Sequence, residues 1–203
     1  MTDDTGAQVA SDASGEAMTS EGLETKVAEL NQTAQAHLAK GEWEPAVACY
    51  TEVVALQTEV GDTAGKAETL NNIASVYLAL MDWDQALSYA SEARGLYQEI
   101  EDSTGEAVVL NNLAAAHDGL GDWQQAATLY DEALTLRQAA GDQEGEAKTL
   151  RNLAILFAQH GNRNKAKSYL NRALVSARQA NSRELLAEIR KTMSQLPRMR
   201  RRR

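Results

Sequence analysis

Four stretches, opening at Leu30, Leu70, Leu110 and Leu150, repeat one pattern at a spacing of 40 residues with no insertion between them. They read LNQTAQAHLAKGEWEPAVACY, LNNIASVYLALMDWDQALSYA, LNNLAAAHDGLGDWQQAATLY and LRNLAILFAQHGNRNKAKSYL. Between them lie GDTAGKAET, EDSTGEAVV and GDQEGEAKT, again in register. A period of this size means that each copy is one supersecondary unit, unable to bury its apolar face alone. Stacked neighbours must do that burying, so the pattern constrains the chain to a repeat array.

Each copy contains two helices. The first is predicted over about residues 64–80 in the second copy, with Leu70, Ile73, Ala74 and Tyr77 on an i, i+3, i+4, i+7 stripe. Glycines at 41, 121 and 161 suit the left-handed position that ends a helix, and Met81 departs from them. Asp82 and Asp122, each three residues ahead of Gln85 and Gln125, have capping-box spacing for the second helix. Pro45 fits a first-turn position, where a missing N–H costs nothing. Alanines recur at 34, 74, 114 and 154 and at 46, 86, 126 and 166, where the two helices should cross closely.

These residues resemble the tetratricopeptide repeat family. Leu113, Ala114, Gly121, Trp123, Ala126, Tyr130 and Ala133 meet its pattern, with His117 where the family prefers an aromatic. Length alone would favour HEAT-type repeats of ~40–47 residues over the usual ~34. The Gly-Asp-Trp junction and the paired alanines decide for tetratricopeptide repeats, of the longer class seen in kinesin light chains. The resemblance implies an all-α fold: a right-handed superhelical array of four helix hairpins plus a C-terminal capping helix. The expected organisation is an acidic, disordered tail over 1–20, repeats over 21–180, a capping helix over 181–196 and an Arg-rich tail over 197–203. Leu185, Leu186, Ile189 and Met193 give the cap its apolar face, and Pro197 ends it.

Composition agrees with close-packed helices. Hydrophobic residues make up 43% of the chain but aromatics only 5%, so the core is Ala- and Leu-built. One cysteine, Cys49, forms no internal disulfide and no structural zinc site by itself, and it aligns with Tyr89, Leu129 and Tyr169 as a packing residue. No run of ~18 apolar residues predicts a membrane span. The opening Met1-Thr2-Asp3-Asp4 lacks the basic and apolar regions of a secretory signal. A soluble, cytoplasmic protein is expected.

Nothing reads as catalytic, and no metal or cofactor is expected. His37 and His117 share a repeat position with Tyr77 and Phe157, so packing explains them, while His160 adjoins a helix end that offers free carbonyls. Gly65, Gly105 and Gly145 are first-turn features of the repeat, with no strand ahead of them to form a phosphate loop.

The residues that recur without packing are polar. After each opening leucine come Asn31-Gln32, Asn71-Asn72, Asn111-Asn112 and Arg151-Asn152. Asparagine competes for its own backbone hydrogen bonds inside helices, so its repetition needs a reason. One reason is a structural amide between neighbouring repeats. The other is ligand binding, since an amide both donates and accepts and can grip any peptide main chain. The resemblance implies the second for Asn72, Asn112 and Asn152, where the family commonly binds a ligand backbone in its concave groove. Gln35, Ser75 and Ala115 one turn on, and Glu68 and Lys148 one turn back, are further groove candidates. The family's clamp for chaperone C-termini needs cations around the asparagines, and only Lys148 and Arg151 supply them. The expected ligand is therefore an extended peptide with acidic residues near the fourth repeat, held by a non-catalytic adaptor or assembly scaffold.

Charge is sorted along the chain. The net charge of −9 combines 25 acidic against 5 basic residues over 1–142 with 4 acidic against 15 basic over 143–203. Arg163, Lys165, Lys167, Arg172 and Arg178, with Arg198, Arg200, Arg201, Arg202 and Arg203, form a basic end. Its alternative roles are polyanion docking, on nucleic acid or an anionic surface, self-association with the acidic half, or solubilisation. The segment carries no interleaved aromatics for stacking single strands, so nucleic-acid contact would be phosphate-driven.

Overall fold

The computed structural model describes residues 20–196. The N-terminal tail, Pro197 and the five C-terminal arginines Arg198 and Arg200–Arg203 lie outside the described residues. The elements are α1 (Ser20–Lys40), α2 (Trp43–Val60), α3 (Thr63–Ala79), α4 (Trp83–Glu99), α5 (Ser103–Gly119), α6 (Trp123–Ala140), α7 (Gln143–Gln159), α8 (Arg163–Gln179) and α9 (Arg183–Gln195). Among the described residues there is no strand, so the fold is all-α. Consecutive helices pair as the sequence predicts: α1 with α2, α3 with α4, α5 with α6 and α7 with α8. The chain divides into two compact units, one ending at Asp102 and one starting at Ser103. The first holds two hairpins, the second two hairpins and α9.

A single turn design sets the rhythm, and its period is half the sequence repeat. Residues 41, 61, 81, 101, 121, 141, 161 and 181 all take positive φ. Five are glycine, whereas Met81 (φ 59°), Glu101 (57°) and Asn181 (54°) hold the same conformation with a side chain. At each turn the next residue donates its N–H back five residues, as Asp82 does to the Tyr77 carbonyl (3.0 Å) and Asp122 to His117 (2.9 Å). The left-handed residue itself donates back three, as Met81 does to Leu78 (3.1 Å), which is the Schellman closure.

The residue that completes this closure also caps the next helix. Asp62, Asp82, Asp122, Asp142, Asn162 and Ser182 each accept the N–H three residues on. Only half of the expected capping box therefore forms at Asp82 and Asp122. Their own N–H groups, which Gln85 and Gln125 would have satisfied, already serve the preceding helix. Glu42 breaks the series for a legible reason. The donor it would need is residue 45, a proline without an N–H, so no side-chain cap forms. The Glu42 carboxylate instead meets His37 Nδ1 at 2.6 Å, and this hydrogen bond holds its pKa below the usual carboxylate value.

Alanine packing then brings the helices together. All eight crossing alanines are 0–1% exposed. In the first unit Ala34, Ala46, Tyr50, Ile73 and Val76 form one cluster, against which Cys49, Trp43, Tyr77 and Tyr89 pack. In the second unit Leu110, Leu150, Leu153, Leu156, Leu170 and Ile189 are nearly or wholly buried. Ile189 and Leu185 carry the apolar face of α9, with Leu186 and Met193 only half-buried.

Candidate functional site

The asparagines open differently in the two positions of each pair. In the first unit Asn71 is 8% exposed, while Asn31 and Asn72 are half-buried and Gln32, Gln35 and Ser75 are exposed. The Ser75 hydroxyl donates to the Asn71 carbonyl at 3.0 Å, a local helix bond. In the second unit Asn111 holds neighbouring repeats together. Its Nδ2 donates to the Ala107 carbonyl at 2.7 Å, and its Oδ1 accepts from the buried Thr149 hydroxyl at 3.2 Å and from Asn152 Nδ2 at 3.5 Å. Asn112 and Asn152 are half-buried on the first helices α5 and α7.

Arg151 occupies the place of Asn111 one repeat later and reaches for the next element in the same way. Its Nε donates to Thr192 Oγ1 on α9 at 3.1 Å, and its Nη1 lies 3.8 Å from the Glu188 carboxylate. Lys148 is exposed and pairs with Glu144 one turn earlier at 2.6 Å, a solvated pair of small energetic weight. Along α7, Lys148, Asn152, Ile155 and Gln159 follow at i, i+4, i+7 and i+11 and so share a face. Ile155 and Gln159, with Ala158, Thr192, Gln195 and Leu196, line a cavity of about 270 Å³ between α7 and α9.

Of the five described cations of the basic end, four are exposed, yet two of these rest against aromatic rings. Lys165 Nζ sits 4.4 Å from the Phe157 ring centre, and the Arg172 guanidinium 5.7 Å from that of Tyr169. These rings stack on each other at 5.6 Å. Aromatic partners for the cations thus exist, though Phe157 is 6% exposed and offers no open face to a base. Lys165 and Arg172 also flank Asp131, whose carboxyl is pushed up by burial against their opposing pull. Arg163 is half-buried, whereas Lys167 and Arg178 are exposed. His160 ends α7, and its ring stacks on Trp123 at 5.0 Å while Nε2 lies 3.2 Å from Asp118. It faces a side chain rather than the free carbonyls of the helix end.

Sequence reasoning missed Arg137. It is 9% exposed and pairs with Asp142 at 2.8 Å. The signal was Gly145: a Cβ there would overlap the Arg137 guanidinium, so the first-turn glycine makes room for a neighbour's side chain. Thr149 and Thr192, which meet Asn111 and Arg151, were also unmarked. Among the described residues no group of three or more His, Cys, Asp or Glu side chains is placed to hold a metal ion. Among them, too, no helix is long and apolar enough to cross a membrane.

Helical hairpins closed by left-handed turns and crossed through alanines define an all-α repeat protein. The tetratricopeptide repeat profile matches residues 27–99, 65–139 and 105–179, and the chain belongs to that family, whose members bind other proteins. No curated protein sequence matches it. Among solved structures it is similar to aspartyl phosphate phosphatase F from Bacillus subtilis, with a TM-score of 0.76 and 12% identity over 85% of this chain and 45% of that one. BtubC (BKLC) from P. vanneervenii gives 0.64 and 22% over 89% and 69%. The nearly identical TPR-like repeats of a kinesin light chain from Podosopora anserina give 0.60 and 19% over 82% and 81%. At these identities the likeness is one of fold, and the chain spans about half the length of the Bacillus protein.

Proposed function

We propose that the chain is a non-catalytic adaptor or scaffold whose first-helix faces hold an extended peptide of a partner protein. The observation that carries this reading is the shared face of α7. There a cation (Lys148), an amide (Asn152) and an apolar side chain at a cavity (Ile155) follow one another. Ile155 lies seven residues from Lys148, about 10 Å along the helix axis at 1.5 Å per residue. Three residues of extended peptide cover that distance at about 3.3 Å each. A ligand with an acidic residue three positions from an apolar one therefore satisfies both ends, with its main chain free to meet the Asn152 amide. Asn112 on α5 and Asn72 on α3 occupy the same register and are proposed to act likewise.

The bridging role of Asn111 divides the asparagines into two groups. Asn111 holds α5 to α7 chiefly through Thr149 at 3.2 Å, whereas Asn152, whose contact with Asn111 is a long 3.5 Å, is proposed to serve the ligand. A peptide array probed with wild type, Asn152→Ala and Asn112→Ala tests this. Each substitution should weaken captured peptides about fivefold, the equivalent of one net hydrogen bond of ~1 kcal/mol, with melting unchanged. Unchanged capture, or a loss that tracks a fall in melting temperature, contradicts the reading.

A second reading, polyanion docking, is favoured by α8, which carries five cations and no carboxylate. Lys165 and Arg172 are already engaged by rings and by Asp131, which leaves Arg163, Lys167 and Arg178 to carry it.

A further inference from the structure

A second cavity, of about 350 Å³, lies between α8 and α9, lined by Arg163, Asn164, Lys167, Met193 and Leu196. Arg163, Asn164 and Lys167 stand at i, i+1 and i+4 on the first turns of α8, and Met193 and Leu196 follow at i and i+3. The lining thus pairs two cations and an amide with a thioether and an aliphatic side chain, and it contains no carboxylate. Among the described residues the Arg163 side chain makes a single long hydrogen bond, from Nη2 to the Leu196 carbonyl at 3.4 Å. Among them the Lys167 side chain makes no hydrogen bond or ion pair. The start of α8 adds the positive end of a helix dipole. Arg163 and Asn164 also border an adjoining open depression at His160, Gly161 and Asn162, so the cationic rim extends along the turn.

We propose that this cavity is a docking site for an acidic peptide segment of a partner, with one apolar side chain seated on Met193 and Leu196 and flanking carboxylates on Arg163 and Lys167. It shares Leu196 with the cavity at Ile155 but none of the α7 residues, and it does not rest on that reading. Charge complementarity selects the occupant. The chain's own continuation beyond Leu196 carries Arg198 and Arg200–Arg203, which the cationic rim repels. A nucleic acid would use the cations but leave the apolar floor uncovered, and no aromatic side chain lines the cavity for a base to stack on. A peptide that alternates carboxylates with one aliphatic residue matches both halves of the lining.

The test is fluorescence anisotropy with the full chain and three labelled probes: eight glutamates around a central leucine, the same peptide with serine in place of leucine, and a single-stranded oligothymidine. The leucine probe should bind about tenfold more tightly than the serine probe, the scale of burying one aliphatic side chain. Lys167→Glu, at an exposed position, should weaken the leucine probe at least about tenfold by reversing a charge at the rim. Met193→Ser should erase the difference between leucine and serine. If that variant melts early, the probe comparison on wild type and Lys167→Glu still decides. Asn112→Ala and Asn152→Ala, and a chain lacking residues 198–203, should all bind the leucine probe like wild type. Equal affinity for the two peptides overturns the proposal, as does tighter binding of the oligothymidine with the same Lys167 dependence. So does loss of binding in the asparagine variants, which would move the peptide to the α7 face, and so does a gain on removing the tail, which would make the tail the occupant.

Discussion

Methionine at residue 81 holds a left-handed conformation that costs a side-chain-bearing residue on the order of 1 kcal/mol or more. Its side chain is 71% exposed, so little packing offsets that cost. Met81→Gly should therefore stabilise the protein by about 0.5 kcal/mol, the relief of strain exceeding the added flexibility of the unfolded chain. Chemical denaturation reads the shift, and a fall in stability would show that Met81 earns its place through contacts. Glycines separate by environment in the same way. Nothing lies within 4 Å of a Cβ built on Gly95 in α4, so Gly95→Ala should gain about 0.5–1 kcal/mol from helix propensity. Gly145→Ala should instead lose about 1–3 kcal/mol, because the new methyl displaces Arg137 from its partly buried pair with Asp142. Equal effects at the two glycines would refute the close approach.

Between helices, spacing is set by alanine. Ala126 and Ala114, both 0% exposed, leave no room for growth, and Ala126→Leu should destabilise by about 1–3 kcal/mol through overpacking. A neutral result in urea denaturation would mean that the hairpin breathes more than its packing shows. The same tight core holds the Tyr130 phenol well above its ordinary value of 10.0, first by burial and then by the Asp118 charge. A group whose pKa is raised by folding gives its full stability below the unfolded value and loses it as pH rises through the folded one. The denaturation midpoint should accordingly fall above about pH 10, with Tyr130→Phe flattening that fall. Identical alkaline slopes for wild type and variant would exclude Tyr130 as the titrating group.

Over the whole molecule, helix hairpins, their glycine stops and their alanine crossings were legible, because each is a local preference repeated at one spacing. The 20-residue turn rhythm was not, since Glu101 and Asn181 adopt a backbone state that their identity does not announce. Arg137 went unmarked for a similar reason: its burial depends on a glycine eight residues away in the next helix. The asparagine pairs were visible, but spacing alone could not assign Asn111 to Thr149 or send Arg151 to the capping helix. Both cavities were hidden, because Ile155 and Met193 look like ordinary core positions until α9 is in place. The first-helix face, through Asn152, is proposed to receive a peptide main chain. Nitrogen-labelled protein titrated with peptides from the array tests it directly, by following the side-chain amide resonances of Asn112 and Asn152. Both should shift with the binding isotherm, together with backbone signals along Lys148–Gln159, while α6 stays still. Saturable binding that leaves the Asn152 amide unmoved and shifts only second-helix residues would contradict it.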